Sequence, residues 1–121
     1  MDELMLSESE HRLMDVLWKH SPIESGKLVK VCEDELSWKK STTYTMLRKL
    51  VSKQMAQNVD SLVTVLVPED RVQLFESRRV VKRTFGGSLP SFLVSFLEDR
   101  KLSDSEADEL IDIIDKYRNE K

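Results

Sequence analysis

STTYTMLRKLVSK, residues 41–53, sorts its side chains onto two faces when wound as an α-helix. Thr43, Met46, Leu47, Leu50 and Val51 recur at the i, i+3, i+4, i+7 spacing of a stripe turned toward a core. Ser41, Thr42, Tyr44, Thr45, Arg48 and Lys49 fall on the other side. A helix with small hydroxyls and cations outward and aliphatics inward has the surface chemistry that fits a DNA major groove.

The segments on either side supply a setting for this helix. Upstream, Ser7 with Glu10 three residues later forms a capping-box pattern, and Leu13, Met14, Leu17 and Trp18 make the apolar stripe of a first helix that ends at Ser21 and Pro22. A second helix is predicted from about Ser25 to Glu35, with Leu28, Val29 and Cys32 inward, followed by a short connection over 36–40. Downstream, Met55 to Val67 holds two β-prone segments around Asn58, Val59, Asp60 and Ser61, which predicts a hairpin. Three helices and a hairpin, in this order, are the layout of a winged helix-turn-helix. A plain helical bundle with an irregular loop is disfavoured by the β-branched run at 62–67.

Pro68 opens a fourth helix to about Arg83, and Gly86 and Gly87 break it. Leu89, Phe92, Leu93, Phe96 and Leu97 give a fifth helix with a strongly apolar face. Ser103 and Glu106 form a second capping-box pattern ahead of a sixth helix, whose stripe is Ala107, Leu110, Ile111, Ile114 and Tyr117. Two helices of this size cannot enclose a core by themselves, so dimerisation through Leu89, Phe92, Leu93, Phe96, Leu97, Leu110, Ile111 and Ile114 is expected, the alternative being that they pack back onto the N-terminal domain. The fold class is mainly α with a small β-hairpin: an N-terminal winged-helix domain over 1–68 and a C-terminal helical dimerisation domain over 69–121.

The 121 residues carry a formal net charge of −3, which argues against indiscriminate nucleic-acid binding. The charge is uneven. Residues 1–26 sum to −4 and residues 98–121 to −4, whereas residues 27–53 hold seven bases against three acids. Positive charge therefore peaks where the polar-faced helix lies, as a salt-sensitive DNA contact requires. Lys39, Lys40, Arg48, Lys49 and Lys53 are the expected phosphate anchors. The sequence contains no catalytic or metal-ligand constellation and no glycine-rich phosphate loop, so neither enzymatic activity nor a cofactor is expected. The lone cysteine, Cys32, reads as a small buried hydrophobe. An acidic N-terminus without a signal peptide's basic head, and no run approaching the roughly 18 apolar residues of a membrane span, predict a cytoplasmic protein with no direct membrane insertion.

Three stretches together resemble the penicillinase repressors of the BlaI, MecI and CopY type: LSESEHRLMDVLW at 6–18, WKKSTTYTMLRKLV at 38–51 and FGGSLPSFLVSFLEDRKLSDSEADEL at 85–110. The resemblance implies a homodimeric transcriptional repressor that binds a palindromic double-stranded operator, as regulators of antibiotic-resistance genes do. By position it assigns Thr42 and Thr45 to the recognition-helix motif, while Ser41 and Tyr44 stand where many relatives carry basic residues. The wing departs from the pattern. Gln54 replaces a usual glycine, and residues 54–67 contain no Arg, Lys, Tyr or Phe, so DNA contact is expected to rest on the third helix and its lysine-rich entry. His11 stands where a tryptophan is common.

Two regulatory routes follow from the same resemblance. Copper-responsive members carry a C-terminal cysteine cluster, which this chain lacks. Antibiotic-responsive members are inactivated when a membrane metalloprotease sensor cuts the fifth helix at Asn-Phe; the corresponding pair is Ser95-Phe96, which keeps the aromatic and not the asparagine. The alternative to a repressor is a winged-helix protein-interaction module without specific DNA binding. The basic block from Arg78 to Arg83 suits either, by flanking DNA phosphates or by pairing with the acidic last helix across a dimer.

Overall fold

The computed structural model describes residues 5–119, with the side chain of Asn119 left aside; the remaining residues, including the first four of the acidic N-terminal segment MDELMLSESE, lie outside the described part. The element order is α1 (Glu8–His20), β1 (Ile23–Glu24), α2 (Ser25–Leu36), α3 (Lys40–Ser52), β2 (Ala56–Val59), β3 (Leu62–Val65), α4 (Glu69–Phe85), α5 (Leu89–Leu97) and α6 (Asp104–Asn119). The chain divides into two compact units, Met1–Arg79 and Val80–Lys121.

In the first unit, α1 starts as its sequence predicts. The Ser7 hydroxyl accepts from the Glu10 N–H at 3.1 Å, and the Glu10 carboxylate accepts from the Ser7 N–H at 2.8 Å. At the far end of α2, Ser37 takes a left-handed conformation (φ 58°), and Trp38 N–H returns to the Cys32 carbonyl. That reversal needs only three residues, and it sets α3 against α2 as a helix-turn-helix pair. The hairpin closes through Asp60 and Ser61, both at positive φ (53° and 66°), which is the two-residue turn whose twist matches the strands. β3 is the central strand, pairing antiparallel with β2 (Asn58 opposite Val63) and with β1 (Ile23 opposite Val63). β1 was not anticipated: two residues are too short to show a period, and tertiary pairing with β3 creates it.

The core gathers Leu13, Met14 and Leu17 from α1, Leu28 and Cys32 from α2, Leu47 and Leu50 from α3, with Met55 and Val63 beneath the wing. All nine are essentially sealed from solvent, and each large aliphatic contributes about 1.5–3 kcal/mol of transfer free energy. Val51 departs from the expected stripe. It is 38% exposed, because α3 stops at Ser52 and the chain turns away at Gln54, so the last position of the stripe runs past the edge of the core.

The division between the two units falls inside α4, at Arg79, later in the chain than the boundary expected at Pro68. Val72 is fully buried in the first unit's core, and the Trp18 indole donates to the Val67 carbonyl at 2.9 Å. His11, edge-on to Trp18, has Nε2 3.3 Å from the Glu76 carboxylate and Nδ1 3.5 Å from that of Asp15. The first turns of α4 thus complete the winged-helix unit.

The second unit is built differently. Gly86 and Gly87, at φ 59° and 85°, end α4 in conformations that favour glycine. Ser88 Oγ accepts from the Ser91 N–H to start α5, and Ser103 Oγ accepts from the Glu106 N–H to start α6. Phe92 packs edge-on to Phe85 and stacks on Phe96. No residue of α5 is buried.

Candidate nucleic-acid interface

Three of the six described helices, α1, α4 and α6, carry acids in their first turns, complementing the positive end of the helix dipole, and α2, α3 and α5 do not. α3 has none; it begins with Lys39 at the N-cap and Lys40 at the first helical position, and no side chain caps its free N–H groups. Two ammonium groups at a positive helix end cost local stability and concentrate positive potential, an arrangement that suits an anion such as a phosphate.

Along the outward face from this end, Ser41, Thr42, Thr45, Arg48 and Lys49 are all exposed, as are Lys39 and Lys40. The Arg48 guanidinium reaches the Thr45 hydroxyl at 3.4 Å, a contact across one helical turn that places a long cation beside a small hydroxyl. Short side chains around a single long one let a helix approach a groove floor while the arginine spans the remaining gap. The buried side of the same helix, Thr43, Leu47 and Leu50, fixes it to the core.

Two of the expected contact residues are committed inward. The Tyr44 ring is half-buried against the core, and its hydroxyl lies 3.4 Å from Ser25 Oγ at the start of α2, so it anchors α3 instead of standing free. The Lys53 ammonium donates to Glu10 Oε1 at 2.6 Å and to the Met5 carbonyl at 2.8 Å. The charge of Lys53, expected to anchor a phosphate, is engaged here by a nearly buried carboxylate. Burial alone raises the Glu10 carboxyl, but the hydrogen bonds from Lys53 and Ser7 and the Lys53 charge outweigh it and hold the group below the ordinary glutamate value. The pair ties the end of α3 to the start of α1. Sequence spacing shows the capping box of Glu10 and not its second partner, which lies 43 residues away.

Cys32 is buried, and burial pushes its thiol up, with a smaller opposing pull from the Thr43 hydroxyl. It is a packing residue. The wing presents Asp60 at its tip and the exposed apolar side chains of Val59 and Leu62, with no cation. An acid at that place repels phosphates.

In the second unit, Leu89, Phe96, Ile111 and Ile114 are each more than half exposed, and Phe92, Leu93, Leu97 and Leu110 are partly covered. Ser95 and Phe96 lie in the last turns of α5, with the Phe96 ring stacked on Phe92 and under the Arg100 guanidinium at 4.9 Å. Among the described residues no helix is long and apolar enough to cross a membrane, and no group of His, Cys, Asp and Glu could hold a metal ion.

Comparison with known proteins places these features. The chain is 31% identical over 121 residues to the penicillinase repressor of Bacillus licheniformis, covering 96% of this chain and 94% of that protein. It is 22% identical over 115 residues to the methicillin resistance regulatory protein MecI of Staphylococcus aureus (strain N315), covering 92% and 94%. Among solved structures, that of the DNA binding domain of the repressor BlaI aligns with a TM-score of 0.50 and 28% identity, over 53% of this chain and 83% of that one. The winged helix is thus shared with a protein whose corresponding domain binds DNA. The sequence pattern of the penicillinase repressor family matches residues 6–116, and the chain belongs to that family.

Proposed function

We propose that the protein is a sequence-specific transcriptional repressor that acts as a homodimer on a palindromic operator. The observation that carries this reading is the outward face of α3, where Lys39 and Lys40 surround an uncapped helix start and Thr42, Thr45 and Arg48 follow without a competing acid. The relatives' roles, penicillinase and methicillin resistance regulation, support it. Dimerisation is supported by the apolar faces of α5 and α6, which a single copy leaves open to water. In a symmetric dimer, two α3 helices enter successive major grooves about one helical turn apart. Lys39, Lys40 and Lys49 hold phosphates, and Arg48, steadied by Thr45, reads a base edge.

Release of repression by a membrane metalloprotease sensor is consistent with the position of Ser95-Phe96. A cut there severs Phe96, Leu97 and the whole of α6 from the DNA-binding unit, and α5 must first unwind, because a protease binds its substrate in an extended conformation.

The test is binding of the purified full chain to DNA upstream of its own gene and to random duplex, across a salt series. Preference for the upstream DNA is expected, with affinity falling steeply as salt rises. Arg48→Ala is expected to cost about 1–3 kcal/mol and to relax specificity at one base position, while Lys40→Ala weakens binding to all sequences and lowers the salt slope by about one. Equal binding to both duplexes by folded, dimeric protein would favour the protein-interaction module.

A further inference from the structure

The basic block on α4 has no role in the reading above. Arg78, Arg79, Lys82 and Arg83 follow the i, i+1, i+4, i+5 spacing that stacks them along one side of the helix. Three are exposed and Arg79 is half-buried. Among the described residues none of the four forms an ion pair. Four cations side by side on a helix repel one another by a few tenths of a kcal/mol for each neighbouring pair, so an isolated copy carries an uncompensated cost.

α6 carries the complement. Asp104, Asp108, Asp112 and Asp115, at i, i+4, i+8 and i+11, form a continuous acidic stripe. All four are exposed, and among the described residues none of them has a cationic partner. The stripe runs directly beside the exposed apolar face of Ile111 and Ile114. On α4 the cations likewise adjoin apolar side chains, Leu74 and Val80 being about half exposed. Each helix therefore offers an apolar seam edged by charge, and the two edges have opposite sign.

We infer that the α4 basic block docks on the α6 aspartate stripe of a second copy of this chain, so that the dimer is held in register by ionic edges as well as by its apolar core. The inference rests on the homodimer proposed above. Twofold symmetry makes each contact occur twice, so four modest pairs become eight. Exposed pairs are individually weak and screened by salt. Their number supplies the strength, and the match of sign fixes which faces meet. This gives the dimer a salt dependence of its own, separate from that of DNA binding.

The experiment is sedimentation equilibrium of the full chain without DNA, with two charge-reversed variants: Lys82→Glu with Arg83→Glu, and Asp108→Lys with Asp112→Lys. All are exposed positions, and circular dichroism monitors folding. For the unchanged protein the dimer dissociation constant is expected to rise with salt, and each variant alone is expected to raise it on the order of tenfold or more at low salt. An equimolar mixture of the two is expected to form heterodimers more tightly than either forms homodimers, a rescue that no general destabilisation produces. Dimers of unchanged strength in both variants overturn the ionic docking while leaving the homodimer intact. If the α4 variant dimerises normally and loses only DNA affinity, the block serves DNA phosphates and the inference fails. A wild-type chain that stays monomeric at every salt concentration overturns the homodimer itself.

Discussion

The two compact units use the same ingredients, amphipathic helices with leucine, isoleucine and phenylalanine at helical spacing, and differ in whether those faces meet one another. In the first unit α1, α2, α3 and the three-stranded sheet close around Leu13, Leu28, Leu50 and Val63, none of which retains accessible surface. In the second, α5 buries nothing, and Leu89, Phe96, Ile111 and Ile114 remain 53–55% exposed. A closed core makes stability a property of the chain alone. An open one, covered by a second copy as proposed, makes it depend on protein concentration. Both tryptophans, Trp18 and Trp38, pack against the first unit's core, so tryptophan fluorescence reports on that unit by itself.

The largest effect is expected where the core is tightest. Leu50→Ala removes a fully buried side chain that fixes α3 to the core, and the cavity and lost transfer energy should cost about 3–4 kcal/mol. Urea unfolding followed by tryptophan fluorescence checks it, and an unchanged midpoint would mean that the first unit does not rest on this core. Ile114→Asp probes the other side of the comparison. It is expected to leave the tryptophan transition in place, to convert dimer to monomer, and to lower operator affinity by on the order of a hundredfold through loss of bivalency. Sedimentation and DNA titration read the two effects separately.

Lys53→Met comes next, at about 2–3 kcal/mol near neutral pH, because it leaves the nearly buried Glu10 carboxylate without its cation. In the unchanged protein the Glu10 pKa is depressed on folding, so its contribution is present above the unfolded carboxyl value, about 4.3, and is lost as pH falls through the lower folded value. In the variant, burial acts unopposed by Lys53 and favours the protonated form. The gap between the two proteins should therefore be widest near pH 7 and narrow toward pH 4, as urea midpoints at both values will show.

Most of this architecture was legible in the sequence, for a physical reason. Regular elements announce themselves through local rules: Ser7 and Glu10 for the start of α1, Gly86 and Gly87 for the end of α4, β-branched residues for the wing. The outward face of α3 was readable in the same way, since one period defines both its buried and exposed sides. What escaped was set by contacts distant in sequence. Nothing near Lys53 signals Glu10; nothing in Ile23 and Glu24 signals a strand until β3 lies beside them; Val72 belongs to the first unit because Trp18 and Val67 bring α4 down upon it. Tyr44 sits between the faces of α3, and only the placement of Ser25 turns it inward.

The smallest effect is expected at Gln54, and it has the opposite sign. This residue follows α3 at φ 62°, a left-handed conformation that crowds the Cβ of any L-residue and costs roughly 1 kcal/mol relative to glycine. Glycine gives back part of that advantage by loosening the unfolded chain. Gln54→Gly should therefore stabilise the first unit by about 0.5 kcal/mol, read as a small rise in the tryptophan-monitored urea midpoint with no change in dimer dissociation. The side chain is exposed, so no packing is lost to offset the gain. A midpoint that falls instead would mean that Gln54 makes contacts worth more than its backbone strain. A change in dimerisation would mean that the backbone at the end of α3 and the apolar faces of α5 and α6 do not act independently.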